Sequence, residues 1–126
     1  MKRFWLGVAF LILLLTFGVW HMVGLSRIHK NLSQTLSSAA IAARQQDWHA
    51  ADTLSQNAQD QWEQYRHLTA SFADHEPLEE AEQLFAELQI CKELSLEENY
   101  AVVCSNLSQI CKAIAESFQI CWWNVL

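Results

Sequence analysis

Between Phe4 and Leu25 the chain reads FWLGVAFLILLLTFGVWHMVGL, 22 residues without a formal charge. At about 1.5 Å per residue, a helix of this length covers the roughly 30 Å hydrocarbon core of a bilayer. Lys2 and Arg3 ahead of it would also suit a cleaved signal peptide. However, the run is longer than the roughly 7–15 residues of such a leader, and no A-x-A site closes it. The nearby A-x-A, Ala40 to Ala42, lies too far downstream. The segment is therefore expected to be an uncleaved transmembrane anchor. Arg27, Lys30 and Arg44 follow the span, so counting positive charge on its two sides does not fix its orientation. A short basic stub is the usual layout of a signal anchor, which predicts a cytoplasmic N-terminus, a single pass, and the bulk of the chain outside the cell membrane. Trp5 and Trp20 then fall near the two interfaces, where amphipathic rings are preferred.

The whole sequence has 126 residues, room for one compact unit, with 3 Gly, 1 Pro and 52% apolar residues. So few turn formers exclude collagen-like, low-complexity and most turn-rich all-β chains. The formal charge of -6 argues against nucleic acid as a partner, because phosphate binding needs clustered Lys and Arg. The expected organisation is a stub and anchor over 1–25 and an extracytoplasmic helical unit over 26–126.

Beyond the span, apolar residues recur at helical intervals. Ile28, Leu32, Leu36, Ala39 and Ala43 mark a helix over 26–46, continuous with the anchor. Asp47 is placed to cap a second helix with a stripe at Trp48, Ala51, Leu54, Ala58, Trp62, Tyr65, Leu68 and Phe72. Asp74 can cap a third, in which Pro77 is tolerated in the first turn, with Leu78, Ala81, Leu84, Phe85, Leu88 and Cys91 inward. Ser95-Leu96-Glu97-Glu98 reads as a capping box opening a fourth helix with Val103, Leu107, Ile110, Ile114, Phe118 and Cys121 inward. Short connections force antiparallel neighbours, so the fold class is all-α: an N-terminal transmembrane helix continuing into an up-down four-helix bundle. Helix-length arithmetic returns the tail to the outer interface, where Trp122 and Trp123 suit an interfacial position. The alternative is that one indole packs in the bundle and the other is simply exposed.

Candidate chemistry is sparse. His75, Glu76, Glu79 and Glu80 superficially suggest a metal site, but they lack H-E-x-x-H spacing and read as an acidic first helical turn. His29, His49 and His67 fall on polar faces. The cysteines lack metal-ligand spacing and read first as small buried hydrophobes; the alternative is a Cys91–Cys104 disulfide across the last hairpin. Serine-nucleophile, phosphate-loop and dinucleotide signatures are absent, and no cofactor or metal is expected.

The basic-tipped anchor, the Asp-Trp-x-x-Ala turn at 47–51, the His-Glu turn at 75–76 and the Trp-Trp-Asn terminus together resemble domain-of-unknown-function family 4363, small bacterial membrane-anchored proteins. That resemblance implies a membrane partner, of the polytopic YetF-like type, and carries no catalytic residues. The expected function is a non-enzymatic, membrane-tethered interaction or scaffold module of the cell envelope, with the lipid bilayer and another membrane protein as partners. An extracytoplasmic sensory or ligand-binding bundle acting through a membrane partner is the alternative.

Overall fold

The computed structural model describes the backbone of residues 1–72 and 74–125 and the side chains of residues 1–71 and 74–119. Four helices follow one another: α1 Lys2–Arg44, α2 Trp48–Phe72, α3 His75–Glu93 and α4 Glu97–Val125. α1 is unbroken over 43 residues, about 65 Å, because nothing between Phe4 and Arg44 interrupts a helix: Pro is absent there and the glycines are isolated. Its two halves have opposite surroundings. The most apolar stretch has a mean hydropathy of 2.2 with none of its residues buried, whereas Leu25, Leu32, Leu36, Ala39 and Ala40 are at most 2% exposed. By length and composition α1 is the one helix among those described that is able to cross a membrane.

The second half of α1 packs most extensively against α4 and also against α2, while α3 rests on α4 and meets α2 only locally. A seam of small residues sets the α1–α4 approach. Ser33 Oγ donates to Ser108 Oγ at 3.1 Å, Ser108 Oγ donates to the Ser33 carbonyl at 2.7 Å, and seven residues lower Ser26 Oγ donates to the Ala115 carbonyl at 3.1 Å. Seven residues higher in the same register, Ala40 and Ala101 are both buried. A seven-residue step on both helices keeps the seam facing its partner, as in coiled coils. Leu32, Leu36, Leu107, Cys111, Ile114 and Phe118 fill the space beside it.

Both turns far from the apolar segment close in the same way. Asp47 N–H reaches the Ala42 carbonyl (2.9 Å) and Gln46 N–H the Ala43 carbonyl (3.1 Å). Leu96 N–H reaches Cys91 (3.0 Å) and Ser95 N–H reaches Lys92 (3.4 Å). These are Schellman motifs, which place one residue in the left-handed region. Gln46 (φ 61°) and Ser95 (φ 55°) occupy it in place of glycine, at a cost of about 1 kcal/mol each.

Two expected caps therefore change. Ser95 is used to end α3, so it does not cap α4; the Leu96 carbonyl accepts the first bond of that helix from Tyr100 N–H (2.9 Å). Asp74 stands at the N-cap of α3 with extended backbone, but its carboxylate makes no capping bond. Asp47 does cap α2, accepting from Ala50 N–H at 3.3 Å.

Candidate functional site

The loose α2–α3 contact leaves a cleft of about 340 Å³ at the end of the bundle opposite the exposed apolar segment. Trp48 and Asp52 from α2, Cys91 and Lys92 from α3, and Leu96 and Tyr100 around the start of α4 line it. Asp47 fixes where α2 begins and hence where Trp48 stands. The Trp48 and Tyr100 rings meet edge to face, 5.7 Å apart at 73°, a favoured aromatic geometry. Tyr100 is held from behind. Its hydroxyl donates toward the Ala51 carbonyl (3.0 Å) and Ser55 Oγ (2.8 Å), and burial pushes its phenol up to about 12.

At the rim, Lys92 Nζ lies 3.0 Å from Asp52 Oδ1 and ties α3 to α2. The Cys91 thiol is pushed up by burial and then by the Glu87 charge. The cleft therefore presents apolar walls, an ion pair, and a phenol and thiol that keep their protons at neutral pH. A nucleophile, by contrast, needs a lowered thiol pKa or an adjacent base. Leu96, which lines it, is 40% exposed, and Leu94 in the same turn is 65% exposed; exposed apolar residues grouped in this way mark interaction surfaces.

The residues singled out from sequence are dispersed. Trp5 and Trp20 are exposed at either end of the apolar part of α1, fifteen residues or about 22 Å apart along the axis. Trp122 and Trp123 lie outside the described side chains. Cys91 and Cys104, the candidate disulfide pair, are buried free thiols, as is Cys111. Burial pushes Cys104 and Cys111 up to about 12. His75, Glu76, Glu79 and Glu80 are exposed, and among the described residues no group of three or more His, Cys, Asp or Glu is arranged to hold a metal.

His29, read from the sequence as lying on a polar face, is instead fully buried. Its Nε2 is 2.8 Å from Thr69 Oγ1, whose own proton goes to the Tyr65 carbonyl at 2.9 Å. Nε2 is therefore the donor, and Nδ1 is left as a bare acceptor with no partner among the described residues. The ring stacks on Phe118 at 6.0 Å and meets Trp62 edge-on at 5.9 Å. With such neighbours burial brings its pKa down to about 4.

A family model described as a domain of unknown function, DUF4363, matches residues 19–125. The match thus covers the whole helical bundle and starts inside the apolar part of α1. No curated protein and no solved structure matches the chain.

Proposed function

The chain belongs to the DUF4363 family, and from that premise we propose that it is a membrane-tethered helical interaction module of the bacterial cell envelope, without catalytic activity of its own. The apolar half of α1 is its single-pass anchor. The N-terminus is cytoplasmic, and residues 26–126 form the extracytoplasmic bundle. One observation carries this reading: the molecule has two exposed apolar surfaces at opposite poles, a helix suited to lipid and a rimmed cleft suited to a protein. Transferring the uncovered span from water to hydrocarbon is favourable at about 25 cal/mol per Å², which makes the bilayer its natural environment. The α1–α4 register supports the interfacial role of the tail. It brings positions 122 and 123 level with positions 19 and 18 of α1, beside Trp20.

The partner is another membrane protein, polytopic and of the YetF-like type, docking on Leu94, Leu96 and Trp48. A photo-crosslinking residue at Leu94, in the full chain in its native cells, should capture one membrane protein. A probe at exposed Gln64, two thirds of the way down α2, should not, and Leu96→Glu in the Leu94 background should abolish the adduct. Equal labelling from both positions would contradict the proposal.

The cleft also favours a second reading, a sensory bundle acting through a membrane partner, since about 340 Å³ is in the range of small-ligand sites. A small molecule that co-purifies with the chain and is lost in Trp48→Ala would select this reading.

A further inference from the structure

A second groove, of about 230 Å³, lies where the exposed apolar part of α1 meets the bundle. Its floor is apolar, with Val19, Met22 and Val23 from α1 and Phe118 from α4, and Arg27 and Lys30 stand above it on the same wall. Spacing of i and i+3 puts the two cations on one helix face about 4.5 Å apart along the axis. Both are exposed, and among the described residues neither has a carboxylate within ion-pair distance. Among those residues the ion pairs are Arg66–Glu82 and Lys92–Asp52.

The distribution of charge sharpens the contrast. Residues 26–46 hold Arg27, Lys30 and Arg44 with no acid; Glu116 of α4, level with Leu25 in the α1–α4 register, pairs with neither Arg27 nor Lys30 among the described residues. The neighbouring hydroxyl of Ser26 is committed to the Ala115 carbonyl, so the polar chemistry on offer comes from the two cations and the Gln119 amide.

We infer that this groove is a binding site for one anionic phospholipid of the surrounding leaflet, a conclusion that rests on the membrane-tethered reading above. The order of its walls matches the order of groups in such a lipid. Arg27 and Lys30 stand about 3 and 7.5 Å above Leu25 along the axis, where the phosphate of a lipid lies, and a guanidinium meets phosphate oxygens through paired hydrogen bonds. Val19, Met22 and Val23 lie below, level with the glycerol and first methylenes. Because the floor is continuous with the bare apolar face of α1, an occupant's apolar part must reach it from the hydrocarbon. A soluble anion has nothing to place there. A zwitterionic lipid sets its own ammonium beside two cations, whereas an anionic headgroup adds an attraction typical of basic residues next to a membrane.

The test uses the full chain in detergent micelles, titrated with phosphatidylglycerol or phosphatidylcholine and followed by native mass spectrometry. One phosphatidylglycerol should be retained, with a preference over phosphatidylcholine of about tenfold or more. The preference should vanish in the Arg27→Gln, Lys30→Gln double variant, whose substitutions sit on the surface, and persist in Arg44→Gln at the far end of α1. Millimolar inorganic phosphate should not displace the lipid. Equal retention of the two lipids, an unchanged preference in the double variant, or displacement by inorganic phosphate would each overturn the site. Alkaline carbonate extraction of the same chain from phosphatidylglycerol vesicles separates the two levels. Retention without lipid preference defeats the site alone, and release into the supernatant defeats the tether together with the site.

Discussion

A histidine with no exposed surface, whose Nδ1 has no partner among the described residues, ties the stability of the bundle to pH. Protonating the ring in place would create a charged donor facing Phe118 and Trp62 with no acceptor, and desolvation opposes this. Between the ordinary histidine value of about 6.5 and the native value of about 4, the unfolded chain holds a proton that the folded chain lacks. The stability in question is therefore complete above pH 6.5, falls as pH is lowered toward 4, and changes no further below that. The loss amounts to about 3 kcal/mol.

Thermal unfolding of the full chain in micelles between pH 7 and 4 should show this slope, and His29→Leu should flatten it. That variant leaves the Thr69 hydroxyl still donating to Tyr65. An equal slope in both proteins would mean that His29 is not the titrating group. The sequence pattern hid this residue because the phase of the core was read from large apolar side chains. In α2 the buried line is Ala51, Ser55, Ala58, Trp62 and Thr69, while Leu68 is 43% exposed. Two hydroxyl residues occupy core positions, and one of them is what pairs with His29.

Among the elements, α3 rests mainly on α4. It meets α2 through two ion pairs and one aromatic contact, Trp62 with Phe85 at 5.6 Å. The Arg66–Glu82 pair is 3.6 Å apart with both side chains about half exposed, a type worth little. Trp62 also touches His29, so one indole joins α1, α2 and α3. Trp62→Ala should destabilise the bundle by about 3–5 kcal/mol. Hydrogen exchange should rise most over residues 75–93, while the α1–α4 seam stays protected. Uniform loss of protection along all four helices would contradict this division.

The α1–α4 pairing was only half legible in the sequence. Leu32, Leu36, Leu107 and Ile114 announce a heptad-like core, but Ser26, Ser33 and Ser108 pass for solvent-facing residues until their hydroxyls are seen to be satisfied across the seam. Ser95 misled in the opposite sense. Ser-x-x-Glu is a capping signature, yet the Schellman turn of α3 claims the serine first.

At the scale of the whole molecule, the four helices, their order and their up-down path follow from periodicity and short connections, and the structure has them. The cleft was not legible, because it arises from how far α3 stands from α2, and the spacing between helices is not written in either one's pattern. Of its lining residues, the sequence marks Trp48 as a turn residue and Cys91 as a core position, but nothing in it brings them together.

The central claim is that the molecule is polar in the geometric sense, fixed in a bilayer by the bare half of α1 and presenting its bundle outside the cytoplasm. Gln64 is exposed on α2, away from both poles, and the described native cysteines are buried. A Gln64→Cys variant treated with a membrane-impermeant maleimide in intact cells reads the claim directly, with the unsubstituted protein as the background. The account predicts labelling without lysis, to the same extent as after lysis; labelling that appears only once the cells are broken would contradict it.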